Sequence, residues 1–100
     1  MTPLEVRLAA LAATQQCITY GALARDLGLR VSALTAELEA LMTVDAAKHL
    51  PLRAALCEGR LSQGLPAKGF FDKAAALGLD VTDPAAFVAA TREKLFQDAR

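Results

Sequence analysis

The chain has no tryptophan, one tyrosine and one histidine, and four phenylalanines bring its aromatic share to only 5%. Its core must therefore be aliphatic, built on leucine, valine and the 22 alanines among its 100 residues. The single histidine and the two widely separated cysteines, Cys17 and Cys57, offer no Cys-x-x-Cys and none of the ligand spacings of a metal site. No cofactor motif is present either, since no glycine-rich phosphate loop occurs. In a reducing compartment two buried free thiols are expected, and a disulfide would require the segments flanking the cysteines to pair.

An excess of charge is also missing. Eleven Lys and Arg balance eleven Asp and Glu. Such a chain has no general attraction to phosphate or to an anionic membrane, so any nucleic-acid contact must come from a local patch. Long apolar runs are absent as well. The longest uncharged stretch, Leu8 to Ala24, contains Thr14, Gln15, Gln16, Thr19 and Gly21, so it is not a membrane span. The opening MTPLEVRL lacks the basic-then-apolar layout of a secretory signal, and the expected location is the cytoplasm.

What the chain does contain is helix punctuation. An apolar content of 54% in 100 residues suits one packed domain. Thr2-Pro3-Leu4-Glu5 is a capping box, and Leu4, Leu8, Leu11 and Ala12 follow helical spacing, which predicts a first helix over about 3–14. Residues 16–18 read as a short extended link. Thr19 then caps a helix over about 20–27 with the stripe Tyr20, Leu23, Ala24 and Leu27, and Gly28 stops it. Ser32 is the expected cap of a third helix whose inner face is Leu34, Leu38, Leu41 and Met42. Thr43 and Asp45 read as the restart of a turn that runs to His49, and Pro51 blocks further helix.

Leu52 to Glu58, between Pro51 and Gly59, is the best strand candidate, with Leu65-Pro66 as a return strand or plain extended chain. A helix over about 69–77 ends at Gly78. Thr82 or Asp83 caps the last helix, where Phe87, Val88, Thr91 and Leu95 form one face. Helix, short strand, helix, turn, helix, strand and loop is the order of a winged helix-turn-helix. The expected fold class is thus mostly α with a small β-hairpin, in one winged-helix-like domain over residues 1–100.

Function is less legible. A helix that reads a DNA groove presents Arg, Lys, Asn or Gln. The third helix presents Ser32, Thr35, Ala36, Glu37, Glu39 and Ala40, and Arg30 in the preceding turn is the nearby cation. Positive charge gathers downstream: Lys48, Arg53, Arg60, Lys68 and Lys73 stand against Glu58 and Asp72, a net of +3. Arg30, Arg53, Arg60 and Lys68 are the candidate nucleic-acid contacts, with Arg60 in the expected wing loop. Adjacent Phe70 and Phe71 are candidate partner contacts: one can enter the core while the other faces sideways. Catalysis has little support. His49 is isolated at a helix end, and Cys57 has no visible base to activate it.

Two resemblances follow from quoted stretches. TYGALARDLGL (19–29), followed by a strand and a glycine-rich loop, is similar to the DNA-binding half of alkylguanine alkyltransferases and alkyltransferase-like proteins. Their Pro-Cys-His-Arg motif would fall on Leu56-Cys57-Glu58-Gly59, which has neither the Pro nor the His, so no catalytic role carries over. TYGALARDLGL, LPLRAALC and GLPAKGFFDKAAALG together resemble a group of small bacterial proteins with a winged-helix-like domain, which implies the fold and no activity. The resulting expectation is a non-enzymatic binding module, for nucleic acid or alternatively for a protein partner or a second copy through the first or last helix. A continuous positive face joining Arg30, Arg53, Arg60 and Lys68 would favour nucleic acid; scattered charge would favour protein.

Overall fold

A computed structural model describes residues 1–100. The first helix, α1, spans Pro3–Ala13 and begins as read: Thr2 Oγ1 accepts from Glu5 N at 3.2 Å, and Glu5 Oε1 accepts from Thr2 N at 3.1 Å. These two bonds satisfy amides that the helix start would otherwise leave unpaired. Leu4, Leu8, Leu11 and Ala12 are buried along one stripe. The strand β1 (Ile18–Thr19) leads directly into α2 (Tyr20–Leu27), which is capped by Thr19 Oγ1 on Ala22 N. Gly28 ends α2 at φ 67°, the left-handed conformation that only glycine adopts without a steric penalty.

Helix α3 spans Val31–Ala47 and departs from the sequence reading at both ends. Arg30, not Ser32, occupies the cap position, and it makes no side-chain cap bond. The helix also does not restart at Thr43; it runs straight through, because Met42 and Asp45 continue the buried stripe of Leu34 and Leu38. It closes on His49 at φ 55°, with Leu50 N donating to Asp45 O at 2.9 Å.

The segment read as a strand over 52–58 is mostly a 3₁₀ turn, Arg53–Leu56, followed by a two-residue strand, β2 (Cys57–Glu58). The carboxylate of Asp45 decides this. Its Oδ2 accepts the Arg53 backbone N–H at 3.1 Å, so that amide starts a turn and is not available to a ladder. The expected hairpin does not form. β2 pairs in parallel with β1, Ile18 opposite Cys57 and Thr19 opposite Glu58, with α2 and α3 as the crossover. Residues 59–65 close on themselves, Gly59 N donating to Leu65 O at 2.9 Å, and the buried Pro66 has no N–H for a return strand.

Helix α4 spans Lys68–Ala76 and buries Phe70 and Ala74; α5 spans Pro84–Asp98, is capped by Asp83 on Ala86 N, and buries Val88, Thr91 and Leu95. The 3₁₀ turn is the hub. It contacts α1, α3 and α5, and Ala54, Ala55, Leu56 and Cys57 are all within 2% of complete burial. Small residues at this point let three helices approach one backbone segment. No helix is long and apolar enough to cross a membrane.

Candidate functional site

Between α3 and α4 lies a cavity of about 180 Å³. Its floor is buried and apolar: Leu38, Met42, Ala54 and Phe70. Its rim is formed by Tyr20, Val31, Thr35, Glu39, Ala67 and Gly69. Val31, Thr35, Leu38, Glu39 and Met42 recur at helical spacing, so one flank of α3 supplies half of the lining. The other flank is held in place by Tyr20, whose hydroxyl accepts the Ala67 N–H at 3.1 Å and ties the entry of α4 to the start of α2. Burial pushes the Tyr20 hydroxyl above its ordinary pKa, so it stays protonated. Gly69 presents no side chain to the mouth, and a Cβ there would meet nothing within 4 Å.

A second depression adjoins the first. It is lined by Thr19, Tyr20, Gly21, Ala22, Arg25, Val31 and Arg60. Tyr20 and Val31 line both, so the two are immediate neighbours. Arg25 and Arg60 are exposed and take part in no salt bridge. Thr19, Gly21 and Ala22 bring the N-terminal turn of α2 to this depression, and Arg25 comes from the last turn of the same helix.

The four candidate cations differ in what surrounds them. Arg60 sits in this depression, and Arg30 is exposed at the start of α3. Lys68 is 88% exposed and pairs with Asp72 one turn along α4 at 2.9 Å, which raises its pKa. Arg53 is committed to the interior. Its Nε and Nη2 donate to Asp45, at 3.1 Å to Oδ2 and 2.9 Å to Oδ1, and its Nη1 donates to Glu5 Oε2 at 3.0 Å. The Asp45 side chain is only 2% exposed, so this ion pair holds α3, the 3₁₀ turn and α1 together. The hydrogen bonds that Arg53 donates to Asp45 are also the first cause of its raised pKa.

Of the two candidate partner contacts, Phe70 forms the cavity floor. Phe71 is half-buried and lies edge-on to Phe70, with ring centroids 5.2 Å apart. Sequence reasoning missed Arg25, Tyr20 and Val31. Arg25 lies outside the basic stretch 48–73, and its alignment with Arg60 depends on the parallel pairing that carries the 59–65 loop to the start of α2. The available signal was Arg25 on the same short helix as the Thr19 cap and Tyr20.

The cysteines are both free. Cys57 is fully buried, and burial pushes its thiol up to about 12, so the thiolate that a nucleophile needs is disfavoured. Cys17 is half-buried, not buried as expected, and its thiol is also raised by burial. No three His, Cys, Asp or Glu side chains are gathered where they could hold a metal ion. Comparison with protein-family models, curated proteins and solved structures found no match to this chain.

Proposed function

We propose that this chain is a non-enzymatic binding module, and that it docks one bulky apolar side chain of a partner protein in the cavity between α3 and α4. The cavity carries the reading. A volume of about 180 Å³ is below the roughly 300 Å³ at which small-molecule and cofactor pockets begin. It is close to the roughly 150 Å³ that accommodates a benzene-sized ring. A single aromatic or branched side chain fits such a space, and burying one is worth about 2 kcal/mol. In this reading the α2–α3 pair is a helix-turn-helix scaffold used for docking in the cytoplasm.

The acidic side chains on α3 and the pairing of Arg53 support a protein partner over a nucleic acid. Glu37 and Glu39 are exposed on α3 where a groove-reading helix carries cations, and Arg53 is withdrawn into an ion pair. One observation supports the nucleic-acid reading as a second one: Arg60 and Arg30 flank the starts of α2 and α3, where phosphates are readily held.

Peptides selected from a random displayed library test the reading. Winners are expected to converge on one bulky apolar residue and to bind at least about tenfold more weakly to Thr35→Trp, which fills the mouth from an exposed rim position. Selection without such a consensus, or binding indifferent to Thr35→Trp, would refute it. Affinity for duplex DNA that falls steeply with salt and is abolished by Arg60→Glu with Lys68→Glu would install the nucleic-acid reading instead.

A further inference from the structure

We infer that the docked segment is acidic on one side of its apolar anchor, with a carboxylate held by Arg25 and Arg60 and a neutral or basic residue on the other side near Glu39. The inference rests on the docking reading above and adds the chemistry and direction of the partner.

The charge inventory carries it. Of the eleven Lys and Arg, Arg7, Arg53, Lys68 and Lys94 are in salt bridges, and Arg92 donates to Ala55 O at 2.7 Å. Two of the remaining six, Arg25 and Arg60, line a single depression that no acidic side chain lines. Tyr20 and Val31 line both this depression and the apolar cavity, so the two lie side by side. Two guanidinium groups lining one depression form a carboxylate site, because each offers a planar pair of donors.

The opposite end of the cavity has the opposite sign. Glu39 is exposed on the rim and pairs with no cation. From Val31 to Glu39 the helix rises about 12 Å, roughly four residues of extended chain. A segment lying along α3 therefore meets cations first, an apolar cavity next and an anion last. Such a gradient sets direction as well as affinity, because the reversed segment would place like charges together.

Three peptides sharing one Phe in a Gly/Ser background provide the test, followed by amide NMR titration of the full chain. The first has Asp just before the Phe and Lys about four residues from that Asp. The second exchanges these charges, and the third carries Asn and Gln in their places. The first is expected to bind about tenfold more tightly than the second, with the neutral peptide between. Arg25→Glu with Arg60→Glu should invert that order, and added salt should compress it. Three equal affinities with the cavity amides still shifting would overturn this inference and leave the docking reading intact. No shift at the cavity from any peptide would remove both. Duplex DNA that displaces the first peptide and shifts Arg25 and Arg60 would assign the depression to phosphate and overturn the inference.

Discussion

The Tyr20 hydroxyl accepts the backbone N–H of Ala67 across 47 residues of chain, at 3.1 Å. This one bond sets the separation of α4 from the start of α2 and hence the mouth of the cavity. Tyr20→Phe should leave the Ala67 N–H without its partner and lower stability by about 1–2 kcal/mol in urea unfolding. Because the mouth loosens, peptide affinity should fall further than stability alone would dictate. Unchanged affinity in a fully folded variant would show that the bond has no part in shaping the site.

Arg53→Ala should cost about 3 kcal/mol, because it strands the buried carboxylate of Asp45. Arg53→Lys restores the charge but not the two-pronged geometry, so it should fall between the two. A loss below about 1 kcal/mol would mean that the pair behaves like an exposed one.

The acid limb of stability should depend on Glu5. Its carboxyl is held at about 2 rather than 4.5, first by the Thr2 backbone N–H and then by Arg53. A depressed carboxyl stabilises the fold above the unfolded value, and that contribution is lost as pH falls from 4.5 towards 2. Glu5→Gln should flatten this part of the curve in acid titrations followed by circular dichroism.

Cys57 should set an alkaline limb. Its thiol is held at about 12 by burial, against an ordinary 9.0. The unfolded chain loses that proton first, so stability is complete below 9.0 and declines as pH rises towards 12. At neutral pH a thiol reagent should label the half-buried Cys17 faster than Cys57, which should react only on unfolding. Rapid native labelling of Cys57 would contradict its burial.

Gln15 and His49 both stand at φ 55°, closing α1 and α3 in the left-handed region that favours glycine. Gln15→Gly and His49→Gly should each raise stability by about 0.5–1 kcal/mol. Gly28→Ala and Gly78→Ala, at φ 67° and 89°, should lower it by about 1 kcal/mol or more. Thermal unfolding of the four variants checks the opposite signs.

The helices were legible because their punctuation is local. The Thr2–Glu5 box, the Thr19 cap and the Gly28 and Gly78 stops act within one turn of backbone, and the structure places each as read. Residues 52–58 were not legible for the opposite reason. Pro51 and Gly59 bound a strand-like window, yet Asp45 from another element takes the Arg53 amide and winds the segment into a 3₁₀ turn. Similarly, Ser32 is a good cap in isolation, but the first helical bond runs from Leu34 N to Arg30 O at 3.0 Å, which places the cap at Arg30 and Ser32 inside the helix.

Phe70 was readable as a contact residue from its adjacency to Phe71, but which ring entered the interior was not, since both positions suit a helix face. Arg53 and Arg60 look alike in sequence. One is drawn inward by Asp45 and Glu5, and the other is left exposed beside Arg25. The sequence by itself determined the bounds of α1 and α2, the stop of α4 and the start of α5, because caps, stops and hydrophobic periodicity depend on neighbours three or four residues away. Tertiary structure decided the parallel pairing of Ile18 with Cys57, the partner of each arginine and the existence of the cavity. Those depend on groups brought together from dozens of residues apart, where burial and charge pairing outweigh local preference.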